Sequence, residues 1–144
     1  MAGFDSALAE PGAETTVGNY FVSNYPPYST WKADAASQLD GVLARPAPDE
    51  SLSLYVHLPF CRRRCNYCYF RVHAGSRRGV VDLYLDSILE ELSLYLRYPA
   101  VGGRRLVSVY FGGGSPSFLS EEQIRQLLGG LQDRMPWDGV VECT

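Results

Sequence analysis

The sequence predicts an α/β fold: the N-terminal part of a parallel (β/α) barrel, incomplete and TIM-like, preceded by an extended aromatic arm. Three observations lead there. From Ser51 onward, segments of strand and helix periodicity alternate in the order β-α-β-α-β. The links between them fit crossover connections, which make successive strands parallel. Two and a half such units do not close a barrel that usually needs about 250 residues, so a chain of 144 residues is expected to be a truncated product or fragment of something larger.

Each element has its own signal. In Leu52 to Leu58, Leu52, Leu54, Val56 and Leu58 alternate with Ser53, Tyr55 and His57, the period of two of a strand with one buried face. Val80 to Leu96 carries apolar residues at 81, 85, 88, 89, 92 and 96, one stripe of a 3.6-residue helix. Arg105 to Phe111 is short, β-branched and aromatic, and is expected to stop at the three glycines that follow. Ser120 and Gln123 have the spacing of a capping box, with Leu119 and Ile124 as a hydrophobic staple. The helix they open should bury Ile124, Leu127, Leu128 and Leu131 and end at Gly129-Gly130. Gly139 to Cys143 begins a third strand.

The first fifty residues have no sustained periodicity and are rich in proline and glycine. Residues 1–15 read as a disordered tail, 16–50 as an arm and 51–144 as the start of the barrel. Asn19 to Trp31 is dense in aromatic side chains that are costly to leave in water, and a short amphipathic turn or helix is expected over Ala33 to Leu43. No run approaches the roughly 18 apolar residues of a membrane span, and the N-terminus lacks a basic region followed by an apolar core. No membrane partner is expected, and a cytoplasmic location is. A net charge of −3 argues against a general nucleic-acid binder.

Cys61, Cys65 and Cys68 form C-x3-C-x2-C directly after the C-terminal end of the first strand, where parallel α/β folds build their sites. In a reducing compartment such clustering points to metal or redox chemistry rather than disulfides. Structural zinc usually takes four protein ligands gathered as two pairs, which these three do not supply. A 4Fe-4S cluster held by three thiolates keeps one iron open. Cys143 stands apart and reads as a small buried hydrophobe.

The residues LYVHLPFCRRRCNYCYF, followed by YFGGGSPSFLS, resemble the radical S-adenosylmethionine (SAM) superfamily, in the branch of oxygen-independent coproporphyrinogen III oxidase (HemN-like). The resemblance spans residues 52–142. It implies a 4Fe-4S cluster and one or two SAM molecules, with reductive cleavage to a 5′-deoxyadenosyl radical. Cys61, Cys65 and Cys68 match the cluster ligands, and Gly112, Gly113 and Gly114 match a glycine motif at the methionyl end of SAM. Ser115 stands where threonine is usual, Tyr55 and Tyr67 match aromatic positions near the cofactor, and Glu142 matches an acidic residue that helps hold it. The implied substrate is a small molecule, a tetrapyrrole of porphyrin metabolism, with reduced flavodoxin or ferredoxin as electron donor.

Two departures qualify this. Phe70 stands where the porphyrinogen-oxidising relatives have a further cysteine, an ending shared with haem chaperones that retain the cluster and with C-methyltransferases using two SAM molecules. The chain also closes on Glu142-Cys143-Thr144, where the family continues towards an asparagine or aspartate and a proline. A non-catalytic haem-carrying chaperone is the reading from another class, and a small zinc-binding module is a third. His57 reads as a satisfied interior histidine, since a fourth ligand would close the open iron. Arg62, Arg63, Arg64, Arg71, Arg77 and Arg78 place positive charge on the cysteine loop, either as a solvated face or to attract an electron donor or acidic substrate.

Overall fold

A computed structural model describes residues 32–47, 49–68 and 70–144. The tail, and the aromatic part of the arm up to Trp31, lie outside the described residues. The chain divides into two units, Met1–Ser37 and Gln38–Thr144. Over the expected amphipathic stretch, a 3-10 turn Ala33–Gln38 is followed by the short helix α1, Leu39–Leu43.

The second unit holds a parallel sheet. Its strands are β1 (Leu52–Leu58), β4 (Leu106–Gly113) and β5 (Glu142–Cys143), in the order β1-β4-β5. Helix α2 (Arg78–Tyr95) links the first pair and α3 (Glu121–Arg134) the second, giving the β-α-β-α-β order with the central strand in the middle. A two-residue parallel bridge, β2 (Phe60–Cys61) with β3 (His73–Ala74), brackets the cysteine loop; nothing in the periodicity marks it.

Sequence alternation is broken once in the sheet, and the break serves the core. Leu52 pairs with Leu106, but Ser53 pairs with Ser108, so Val107 is an extra residue in β4. This bulge turns both Leu106 and Val109 inward, each 1% exposed, whereas strict alternation would put them on opposite faces. Beyond it, Leu54, Val56 and Leu58 pair with Val109, Phe111 and Gly113, and Tyr55 and His57 pair with Tyr110 and Gly112. One face is therefore apolar and mostly aliphatic, with Phe111 among its residues, while the other carries Tyr55, His57 and Tyr110. Strand β4 runs on into Gly112-Gly113 rather than stopping before them, because β1 offers ladder partners as far as Leu58.

The aliphatic face packs under α2 and α3 in one core that includes Val56, Leu58, Val81, Leu85, Leu89, Leu106, Val109, Leu127 and Leu131. The two helices run side by side in the same direction. Asp82 meets Gln123, Asp86 meets Gln126, and Ser93 meets Arg134. Between these pairs the missing side chain of Gly130 admits Leu89, whose Cδ1 lies 2.5 Å from where a Cβ would stand. Helix α3 thus continues past Gly129-Gly130 to Arg134, since close helix packing at Gly130 outweighs glycine's low helix propensity.

The capping box forms as expected. Gln123 N–H donates to Ser120 Oγ at 3.2 Å, and Ser120 N–H donates to Gln123 Oε1 at 3.0 Å. Gln123 is buried and also donates to Asp82 at 2.6 Å, so its polar side chain is satisfied twice. Ile124, expected in the buried stripe, is 37% exposed. Position 123 takes the inward place because its amide ties the cap to α2. At the start of α2, Arg78 pairs with Glu122 and Asp82, whose carboxylates offset a cation set against the helix dipole.

Gln123→Leu should leave Asp82 and the Ser120 amide without their partner and cost about 1–3 kcal/mol in urea unfolding. Gln126→Leu, which breaks the exposed bond to Asp86, should stay within about 0.5 kcal/mol of the parent.

Candidate functional site

The C-terminal edge of the sheet is where the cysteine loop and the glycines meet. After β1 the chain keeps making backbone bonds on both sides. Gly114 N–H donates to Leu58 O at 2.7 Å and Ser115 N–H to Phe60 O at 2.8 Å. On the other side His73 N–H donates to Pro59 O at 2.7 Å and Gly75 N–H to Cys61 O at 3.0 Å. Cys61 is therefore held by main chain from two directions, one after β4 and one before α2.

Phe60 pins this segment from below. It is buried and stands edge-on to Tyr84, with ring centroids 5.2 Å apart, while lying nearly parallel to Phe118 at 6.0 Å. Tyr84 donates its hydroxyl to His57 O at 2.9 Å. Burial, and then the negative charge of Glu91, push its phenol above the ordinary tyrosine value.

Each glycine of the triplet has a steric reason supplied by the chain itself. A Cβ at Gly112 would stand 2.6 Å from the Tyr110 ring and 2.9 Å from that of Tyr55. One at Gly113, whose φ is +109°, would meet the His57 ring at 2.6 Å. One at Gly114 would come within 2.5 Å of Phe60 O and 3.0 Å of Cys61 Sγ. Gly114 thus lets the turn after β4 close on the first cysteine.

The three cysteines differ in how they are held. All are free thiols. Cys61 is buried, its Sγ 3.7 Å from Ser115 Oγ. Cys65 is exposed; Cys68 is half-buried, its thiol donating to Phe70 O at 3.7 Å. Cys68 N–H closes a turn on Cys65 O at 3.1 Å, and Arg64 reaches across the loop to Cys68 O at 3.1 Å. Among the described residues, no three Cys, His, Asp or Glu side chains converge as a ready metal site. The donor set nevertheless fits an iron–sulfur cluster in kind: three unpaired soft sulfurs on one short loop, the first fixed by backbone bonds.

The other candidate residues are spread over the open face. Tyr55 donates to or accepts from His57 Nδ1 at 2.9 Å and stacks on Tyr110, 5.8 Å between centroids and 20° between planes. His57 is thus partnered, as expected, but half-buried on the open face rather than interior. Tyr110 is the residue the sequence reading missed; only the strand register reveals it opposite Tyr55. Glu142 pairs with Ser108, four residues before Gly112, so it lies roughly 13 Å down the strand from the glycines. It accepts a bond from Thr144 Oγ1 at 2.9 Å. Tyr67 is 82% exposed on the outer turn of the loop, apart from the Tyr55 cluster. Cys143, expected to be buried, is exposed, since β5 is a two-residue strand at the edge of the described sheet.

No family model matches the chain. The heme chaperone HemW of Escherichia coli is 37% identical over 93 residues, 65% of this chain and 24% of that protein. The oxygen-independent coproporphyrinogen III oxidase of Cereibacter sphaeroides is 39% identical over 94 residues, 65% of this chain and 21% of that one. The solved structure of coproporphyrinogen III oxidase (HemN) from Escherichia coli, described as a radical SAM enzyme, matches with a TM-score of 0.69 at 27% identity. It covers 86% of this chain and 27% of its own. This chain spans about a quarter of the length of these relatives.

Over the matched residues the chain shares its fold with that radical SAM enzyme. Its sequence there is similar to the HemN-like branch, the oxygen-independent coproporphyrinogen III oxidases and the heme chaperone HemW. Among the described residues no helix is long and apolar enough to cross a membrane.

Gly114→Ala should push the β4 turn off Phe60 O and Cys61, destabilising by about 1–3 kcal/mol in urea unfolding. Gly129→Ala, where a Cβ meets nothing within 4 Å, should instead stabilise α3 by up to about 1 kcal/mol.

Proposed function

We propose that residues 51–144 form the N-terminal part of a radical SAM core, with 16–50 as an arm ahead of it and 1–15 as a tail. The observation that carries this is Cys61, held by backbone on two sides with Gly114 and Ser115 against its sulfur, in a chain whose relatives are HemN-like. Cys61, Cys65 and Cys68 would hold a 4Fe-4S cluster. When bound, that cluster supplies one electron for reductive cleavage of S-adenosylmethionine to a 5′-deoxyadenosyl radical, the species that takes hydrogen from substrate.

The chain's own residues have separable tasks in this reading. The glycine run keeps β4 close to the cysteine loop, so that backbone groups of Gly112, Gly113 and Gly114 lie at the mouth of the site. Ser115 sets a hydroxyl beside the Cys61 sulfur. Tyr55, braced by His57 and Tyr110, offers a fixed aromatic wall on the open face, and Glu142 offers a carboxylate further down it. Tyr67 would contact the cofactor only with the loop drawn inward around the cluster.

The substrate class best supported is a small tetrapyrrole, oxidised as in the coproporphyrinogen III oxidases. The resemblance to the family, rather than any feature of the fold, implies reduced flavodoxin or ferredoxin as donor. Phe70 favours a second reading, shared by a haem chaperone that keeps the cluster and a C-methyltransferase that uses two SAM molecules. Haem binding without turnover supports the chaperone; a methylated product supports the transferase.

Cys61→Ala, Cys65→Ala and Cys68→Ala should each abolish iron uptake on anaerobic reconstitution, whereas Cys143→Ala should leave it intact. Electron paramagnetic resonance of the reduced parent should show a 4Fe-4S signal that changes on adding SAM. Stoichiometric zinc with no iron–sulfur signal would overturn the assignment.

A further inference from the structure

We infer that the cleft between the outer edge of β1 and the second half of α2 is a binding site for a primary alkylammonium group. The cleft has a volume of about 290 Å³, and Tyr55, Tyr84, Tyr95 and Glu91 line it together with Ile88 and Leu92. Among the described residues that line it there is no Lys or Arg. The inference does not depend on the cluster.

The strand supplies acceptors. In the described sheet β1 is paired with β4 on one side only. Leu52 N–H donates to Arg105 O and Leu58 O accepts from Gly114 N–H, so the even-numbered residues of β1 turn their peptide groups to β4. Those of Ser53, Tyr55 and His57 point outward. His57 O is taken by the Tyr84 hydroxyl at 2.9 Å, while Tyr55 O has no backbone partner among the described residues. A carbonyl is thus left for an N–H donor entering the cleft.

Three separate features make the cleft negative. Glu91 forms no ion pair among the described residues. Helix α2 ends at Tyr95 with no basic residue in its last turn, so the partial negative charge of its C-terminus is not offset there. The three phenol rings contribute electron-rich faces that attract a cation. Burial, and then the charge of Glu91, hold the Tyr84 phenol above its ordinary value, which puts that carboxylate within electrostatic reach of the ring. A divalent metal matches poorly, because it needs several oxygen ligands and Glu91 is the one carboxylate among the described lining residues. A quaternary ammonium has no N–H for Tyr55 O or Glu91. A primary ammonium uses rings, carboxylate and carbonyl together, with Ile88 and Leu92 against its alkyl chain.

The test is a chemical-shift titration of the isotope-labelled full chain with n-butylammonium at neutral pH. Saturable shifts at Tyr55, Glu91 and Tyr95 are expected with an affinity in the millimolar range, weakening as salt rises from about 20 mM to about 300 mM. Glu91 is exposed, so Glu91→Gln should keep the parent fold while weakening binding by about 5-fold. Tyr95→Leu should weaken it by about 2-fold or more. Glu90→Gln, which changes the neighbouring acid outside the cleft, should bind as the parent. N-acetyl-lysine methylamide bound as tightly as butylammonium identifies a polypeptide lysine as the source of the ammonium; its exclusion identifies a free amine. Equal shifts with n-butanol, tetramethylammonium bound as tightly as butylammonium, no loss in Glu91→Gln, an equal loss in Glu90→Gln, or no saturable shift in the parent would each overturn the site.

Discussion

Everything at the candidate site depends on the backbone clamp around Leu58 to Cys61. Peptide groups from Gly114 and Ser115 bond to one side of this segment and those from His73 and Gly75 to the other. A thiol on a free loop would sample many positions; Cys61 has one, because the main chain that bears it is part of two short ladders. Phe60 strengthens the clamp by burying its ring between Tyr84 and Phe118, so loosening it would also open the core.

The clamp explains why glycine recurs at the end of β4. Side chains at 112, 113 and 114 would strike Tyr55 and Tyr110, His57, and Phe60 O in turn. The triplet is a consequence of packing an aromatic and imidazole cluster on one side of a strand and a cysteine loop at its tip. A cofactor approaching this edge would then find backbone groups and a hydroxyl at Ser115, with no side chain rising from the glycines to block it. The packing that requires these glycines is thus compatible with the cofactor role proposed for them.

On the other side of the sheet, α2 and α3 form a firm base. Their polar pairs follow one another in step, from Asp82 with Gln123 to Ser93 with Arg134, with Leu89 seated on Gly130 between. Cap, seam and core agree in register, which is the consistency expected of a well-specified packing. The arginine-rich loop stands beyond this base; among the described residues, Arg78 at the start of α2 pairs with carboxylates, while Arg64 only donates to the Cys68 carbonyl.

The sequence by itself located the main strands and helices and pointed to the family. Period-two alternation delimited β1 residue for residue, the apolar stripe located α2, the Ser120–Gln123 spacing set the start of α3, and the cysteine spacing with the glycine run pointed to the radical SAM family. These signals are local, carried by residues within a turn or two of one another. What needed the tertiary structure was whatever depends on a distant partner: the bulge at Val107, β4 running into the glycines, α3 passing Gly129-Gly130, Gln123 buried in place of Ile124, and Tyr110 stacked on Tyr55. Exposure of Cys143 belongs with these, since an apolar strand buries its residues only where neighbours cover it. In each case the deciding atom lies tens of residues away along the chain, and periodicity, which compares a residue only with its near neighbours, has no access to it.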